Sequence, residues 1–216
     1  RLIFPDRMRL VPLFTLCAAK LPALCGHARD VSVDERIRST FEIMSAPTEA
    51  ILRRLYPVMY ALHVMPPEAG LLNEVGEIVL PPRTALAGER VDARGAYLVD
   101  DGRQCLLWLG KMIDHGFLNA VFGAQGPPKP DVDFEPALVE GIQLSKQVCG
   151  VITEVRRRAS IGCHCTLTVI KQGEPSEALL FPSLVEDRGA GGAGAMSYAD
   201  FLIQLHRQVA QNGGLQ

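Results

Sequence analysis

The stretch RGAYLVDDGRQCLLWLGK, residues 94–111, folds back on itself by its own chemistry. Ala96–Val99 reads as one strand and Gln104–Leu109 as a second, ended by Gly110. Between them Asp100-Asp101-Gly102 supplies an Asp-Gly turn, a strong local hairpin signal when apolar β-rich runs flank it. No side chain in the hairpin suggests catalysis. Trp108, the only tryptophan, alternates with Leu107 and Leu109, which suits an anchor in a core or an interface better than a platform for stacking bases. Together with Leu106 it is expected to bury the core of the sheet.

Downstream of the hairpin, a short helix is expected over about Ile113 to Phe122, followed by the proline-rich loop GAQGPPKPDVD, residues 123–133. EPALVEGIQLSKQVCGVITEVRRR, residues 135–158, reads as one long helix. Leu138, Ile142, Cys149 and Ile152 lie on one side, and Leu144, Val148, Val151 and Val155 broaden the buried face. The cations Arg156–Arg158 oppose its negative C-terminus and read as a solvated helix end. CTLTVIKQ (165–172) and EALLFPSLVED (177–187) read as strands around the turn GEPS, with Pro182 marking an edge or a bulge in the second. MSYADFLIQLHRQVA closes as an amphipathic helix with Ser197 as its N-cap and Asp200 in the first turn.

Upstream, the texture is helical. Residues Asp6–Ala19 carry Leu10, Val11, Phe14, Cys17 and Ala18 as a stripe interrupted by Pro12. DERIRSTFEIM, residues 34–44, places Ile37, Phe41 and Met44 at helical spacing after an acidic start. SAPTEAILRRLYPVMYALHVM, residues 45–65, continues the pattern through Ile51, Leu55, Val58 and Leu62, with Pro57 expected to kink the helix. The prolines 66, 67, 81 and 82, with Gly70 and Gly76, then bracket a short strand candidate, Glu77–Leu80, and mark the expected domain boundary.

With 216 residues and 48% hydrophobic content, the chain can bury a substantial core. A net charge of −2, from 22 basic and 24 acidic residues, argues against a general nucleic-acid binder. No apolar run reaches the roughly 18–20 residues that span a bilayer. An opening at Arg1 rather than Met reads as excision from a longer polypeptide. The six cysteines, Cys17, Cys25, Cys105, Cys149, Cys163 and Cys165, show no CxxC pair and read as reduced cytosolic thiols.

The remaining motifs are weak in their contexts. Gly189, Gly191 and Gly194 stand at GxGxxG spacing, but the chain ends one helix later and lacks the following βαβ unit and its acidic residue, so the segment reads as a linker without nucleotide. Cys163-His164-Cys165 has no second ligand pair at zinc spacing and reads as structural thiols. The histidines 27, 63, 115, 164 and 206 have no HExxH context and no nucleophile motif. No catalytic, metal-binding or cofactor-binding residue is assigned, and the cargo-binding residues stay open.

The order GAYLVDDGRQCLLWLGK, long helix, two strands, then MSYADFLIQLHRQV resembles the gelsolin-like domain that closes the adaptor subunits of the coat protein complex II (COPII) vesicle coat. RLIFPDRMRLVPLFTL, DERIRSTFEIMSAPTEAILRRLYPVMYALH and PPEAGLLNEVGEIVLPP look like the helical domain and junction of the Sec24 family of cargo-selecting subunits. SLVEDR with MSYADFLIQLHRQV looks like its C-terminal end. The resemblance implies an α+β fold: a small all-α helical segment, residues 1–65, then a gelsolin-like mixed sheet flanked by helices, residues 66–211, and a tail, 212–216. It implies a non-enzymatic role in cargo selection for endoplasmic reticulum to Golgi transport, at the cytosolic face of exit sites and vesicles. The implied partners are the GTPase-activating coat subunit and export signals on cargo and SNARE proteins, with peripheral membrane association through the full-length subunit and no nucleic acid. No cofactor is expected in this region; the family's zinc belongs to its upstream part. The competing reading is an actin-binding gelsolin-family repeat regulated by calcium. Entry through DARGAY without an acidic pair, and a following helix offering only Asp114, disfavour it.

Overall fold

In a computed structural model, which describes residues 5–25, 31–159, 165–189 and 196–213, the hairpin forms where its sequence places it. Strands β3 (Ala96–Asp100) and β4 (Cys105–Leu109) pair antiparallel, with Tyr97 opposite Trp108 and Val99 opposite Leu106. Gly102 takes the left-handed φ of 81° that the turn requires. Both strands are buried throughout, which explains their nearly continuous apolar character.

Around them stand β1 (Val58–Ala61), β2 (Arg83–Thr84) and β5 (Leu167–Lys171), giving the order β2-β1-β3-β4-β5. Only the β4–β5 pair is parallel. A parallel neighbour needs a long crossover, and here it is built from α4 (His115–Phe122) and α5 (Gln143–Ala159). Before the sheet come α1 (Val11–Lys20), α2 (Val33–Ser45) and α3 (Thr48–Leu55); after it comes α6 (Tyr198–Gly213). The architecture is α+β, with a mixed sheet between helical layers.

The two-residue period of the strands sorts the core onto two faces. Leu98, Leu107 and Val169 point to the side covered by Phe117 and Val121 of α4 and by Val148, Val151, Ile152 and Val155 of α5. Met59, Tyr97, Val99, Leu106, Trp108 and Ile170 point to the other side, onto Cys17 of α1 and onto Leu86, Leu180, Leu184 and Val185. Trp108 and Leu106 are therefore core residues, as their alternation predicts.

Five expectations are corrected. Pro57 ends the helix instead of kinking it: α3 stops at Leu55, and Tyr56, the residue before proline, is pushed into an extended conformation with φ −132° and ψ 91°. Residues 58–61 then form β1 inside the sheet, between β2 and β3, although helical periodicity had placed Val58 on a helix face and assigned the segment to the helical part. The long helix begins at Gln143 rather than at residue 135, because Gly141 adopts a φ of 77° that a helix cannot contain. EALLFPSLVED is not a strand. It makes two tight helical turns, Pro175–Leu179 and Phe181–Ser183, with Pro182 in a first turn where its missing donor costs nothing. Glu77–Leu80 contributes only a bridge between Leu72 and Ile78.

Candidate functional site

Two seams hold the N-terminal helices to the sheet, and both are built from side chains far apart in sequence. The first is the hairpin tip. Asp100 Oδ1 accepts the Gly102 N–H at 2.9 Å, and Asp101 Oδ1 accepts those of Arg103 and Gln104 at 2.9 Å each. Their other carboxylate oxygens face α3: Arg53 Nη1 lies 3.7 Å from Asp100 Oδ2, and Arg54 Nη1 lies 3.3 Å from Asp101 Oδ2. Arg103 completes the seam with Glu42 at 3.3 Å and Glu35 at 3.7 Å, both on α2. Burial pushes both aspartates above the usual carboxylate range, against the backbone hydrogen bonds and the arginines. The acidic turn is thus a seat for helices α2 and α3. With both carboxylates already engaged by arginines and backbone, it offers no free pair of hard oxygen ligands.

The second seam is SLVEDR, residues 183–188. Lys20, at the end of α1, donates to the carbonyls of Val185 (2.7 Å) and Asp187 (2.5 Å). Tyr56 Oη donates to Glu186 Oε1 at 2.6 Å, and the Leu86 N–H reaches the same oxygen at 3.1 Å. Gly88 N–H donates to Asp187 Oδ2, and Tyr198 N–H, at the start of α6, donates to the Glu186 carbonyl. Burial lowers the Lys20 ammonium from its ordinary value and raises the Cys17 thiol to about 11. One acidic segment therefore gathers α1, the end of α3, the loop after β2 and α6.

Neither seam carries a reactive constellation. His63 Nδ1 is spent on the backbone of Ala96, and its ring stacks edgewise on Tyr97. His27 and His164 lie outside the described residues. Among the described residues no group of three or more His, Cys, Asp or Glu side chains is placed to hold a metal. Of the Cys163-His164-Cys165 motif only Cys165 is described, and its Sγ lies 3.3 Å from that of Cys105 at the start of β4. The glycine segment is described only at Gly189; Gly191 and Gly194 lie outside the described residues. Arg157 and Arg158 end α5 exposed, as expected of a solvated helix end, whereas Arg156 is half-buried and pairs with Asp133 and Glu135.

The stripe that the spacing places on α2 is open to solvent. Ile37, Phe41 and Met44 form the expected stripe, Val33 extends it, and it faces outward at 63%, 69%, 82% and 72% exposure. Ser39, on the opposite side, is the buried residue of this helix and accepts the N–H of Ala23. A contiguous apolar stripe left open in this way marks an interaction surface.

The comparisons with known proteins agree with this architecture. A family model described as the Sec23/Sec24 helical domain matches residues 1–53. Protein transport protein SEC24 A of Arabidopsis thaliana is 31% identical over 220 residues, covering 98% of this chain and 20% of its own length. Protein transport protein sec24 of Aspergillus oryzae is 33% identical over 210 residues, covering 90% of this chain and 22% of its own. The crystal structure of the human COPII-coat protein Sec24c matches with a TM-score of 0.79 at 28% identity, over 98% of this chain and 26% of that one. Helices of the Sec23/Sec24 class followed by a mixed sheet are thus an arrangement that this chain shares with a COPII-coat protein. Within that class the chain belongs to the Sec24 family, and it spans about a fifth of the length of the curated relatives it matches. The actin-binding alternative gains no support from these matches.

Proposed function

We propose that this chain is a non-enzymatic part of a COPII inner-coat subunit, serving cargo selection and coat assembly at the cytosolic face of the endoplasmic reticulum. The carrying observation is the match to Sec24 proteins over nearly the whole chain, in sequence and in fold. Its partners on this reading are the GTPase-activating coat subunit and export signals of cargo and SNARE proteins. The helical segment ends with α3, and the gelsolin-like unit takes over from β1. The open stripe on α2 seats the remainder of a Sec24-length polypeptide, of which this chain supplies only a fraction.

The test is reconstitution. The full-length subunit lacking residues 66–216 is compared with the intact one for recruitment to liposomes in the presence of its partner subunit and the GTP-loaded GTPase, and for packaging of cargo. Weakened recruitment or packaging is the expected outcome. Recruitment, packaging and stability all at the intact level would overturn the reading.

A further inference from the structure

Cys105 and Cys165 come from positions 60 residues apart and place their sulfur atoms 3.3 Å from each other, both buried. Cys105 opens β4, and Cys165 stands two residues ahead of β5, where the Cys105 N–H donates to the Thr166 carbonyl at 2.8 Å. The Cys165 carbonyl is in turn fixed by Arg156 Nε at 2.9 Å. Cys17, Cys25 and Cys149, by contrast, have no sulfur neighbour among the described residues. We propose that Cys105 and Cys165 form a peroxide-oxidisable dithiol that closes to a disulfide between the hairpin and the strand parallel to it.

The surroundings give the two thiols different tasks. The hydrogen bond between the two sulfurs, in which either can donate, and the positive charge of Arg156 favour thiolate at Cys165, against the cost of burial. The charges of Asp100 and Asp101 disfavour thiolate at both sulfurs, and Arg156, fixed on the Cys165 carbonyl, offsets them at Cys165. Cys165 is therefore the attacking sulfur. Its lone pair displaces hydroxide from the O–O bond of hydrogen peroxide, giving a sulfenic acid, and the hydroxide takes a proton to become water. Cys105 sulfur then attacks the sulfenic sulfur, the S–S bond forms, and the S–O bond breaks. The departing hydroxyl leaves as water with the Cys105 proton. Two thiols and one peroxide yield one disulfide and two waters. Both residues sit at strand ends, where local opening requires less free energy than in mid-sheet and admits a small oxidant.

The consequence is mechanical. The disulfide closes a covalent loop around α4 and α5 and fixes β4 where it leaves the hairpin turn, beside the tip that seats α2 and α3. The full 216-residue protein is treated with hydrogen peroxide, unfolded, alkylated with N-ethylmaleimide and digested for mass spectrometry. The expected product is an intramolecular crosslink between the Cys105 and Cys165 peptides, two hydrogens lighter than the reduced pair and reversed by dithiothreitol. It persists in Cys163→Ser and is accompanied by a rise in Tm. Recovery of both cysteines alkylated after oxidation, or pairing of Cys165 with Cys163 instead, overturns the proposal. The measurement on the unsubstituted protein does not depend on the folding of any variant. Loss of the Tm rise in Cys105→Ser and Cys165→Ser assigns the shift to this bond, and its persistence in either would overturn that assignment.

Discussion

Gly150 in α5 crosses Gly70 of the junction loop so closely that a Cβ built on Gly150 would stand 2.0 Å from the Gly70 carbonyl oxygen. Gln147, one turn earlier, donates through Nε2 to the carbonyls of Pro66, Pro67 and Ala69 at 3.1, 2.9 and 3.0 Å. Two glycines and one amide therefore weld the long helix to the loop. Helix propensity alone would make Gly150→Ala stabilising by about 1 kcal/mol. Here backbone meets backbone, which no rotamer change relieves, so the substitution is expected to destabilise by roughly 1–3 kcal/mol. Urea unfolding of the 216-residue chain reads the sign; a stabilised variant would mean that the crossing is looser than described.

Trp108 closes the core face shared with Tyr97, Leu106 and Ile170, and its indole N–H donates to Glu177 at 3.1 Å. Truncation to alanine removes the largest fully buried side chain and leaves Glu177 Oε1 without the indole donor, while Oε2 keeps the Gly173 N–H. The expected loss is about 3–5 kcal/mol, read as a lowered urea midpoint. An unchanged midpoint would remove the hairpin from the core and with it the fold described.

The hairpin was legible because its information is local: an Asp-Gly turn, two apolar runs and a tryptophan in register with them. The cap of α6 was legible for the same reason, with Ser197 accepting the Asp200 N–H at 3.2 Å. Strand β1 was not. Its four residues follow a helix and carry apolar residues at spacings a helix also allows; only pairing with β3, about 40 residues on, makes them a strand. The same holds for the seams. Nothing in Arg53-Arg54 or in SLVEDR announces partners 47 or more positions away, and those contacts decide where the N-terminal helices rest. The stripe on α2 was legible as an apolar face, but its exposure was not, because periodicity does not report what covers a face.

Glu154 gives the chain a defined acid response. It is buried near the end of α5 and accepts from Arg157 Nε (2.7 Å) and Nη2 (2.8 Å) and from Arg158 Nε (2.6 Å). Chiefly through the Arg157 hydrogen bonds, with Arg158 adding and burial opposing, its carboxyl falls from 4.5 to about 2. A carboxyl whose folded value is depressed contributes stability that is present above its unfolded value and lost as pH falls through the folded one. The window is therefore pH 4.5 down to about 2. Because both arginines are largely exposed, salt screens part of the effect. Glu154→Gln is expected to lower stability at pH 6 and to converge on the parent protein as pH approaches 2. A difference between the two that stays constant over this range would exclude the ionic origin.

Phe41 separates a role in folding from a role in assembly. Its side chain sits in the middle of the exposed stripe and contributes little to the core of this chain, so Phe41→Asp is expected to change the stability of the 216-residue protein by no more than about 0.5 kcal/mol, as at other exposed sites. In the full-length subunit the same aspartate lands where the rest of the polypeptide is proposed to pack. An unpaired carboxylate buried there costs several kcal/mol, since it is stripped of water with no partner. The expected result is a normal Tm for the isolated chain, a lowered Tm for the full-length subunit, and reduced recruitment to liposomes with the partner subunit. Ile37→Asp, one turn away on the same stripe, should behave alike, whereas Thr40→Asp, outside the stripe, should not. Wild-type stability and recruitment for the full-length Phe41→Asp protein would show that the stripe remains open to solvent in the assembled coat.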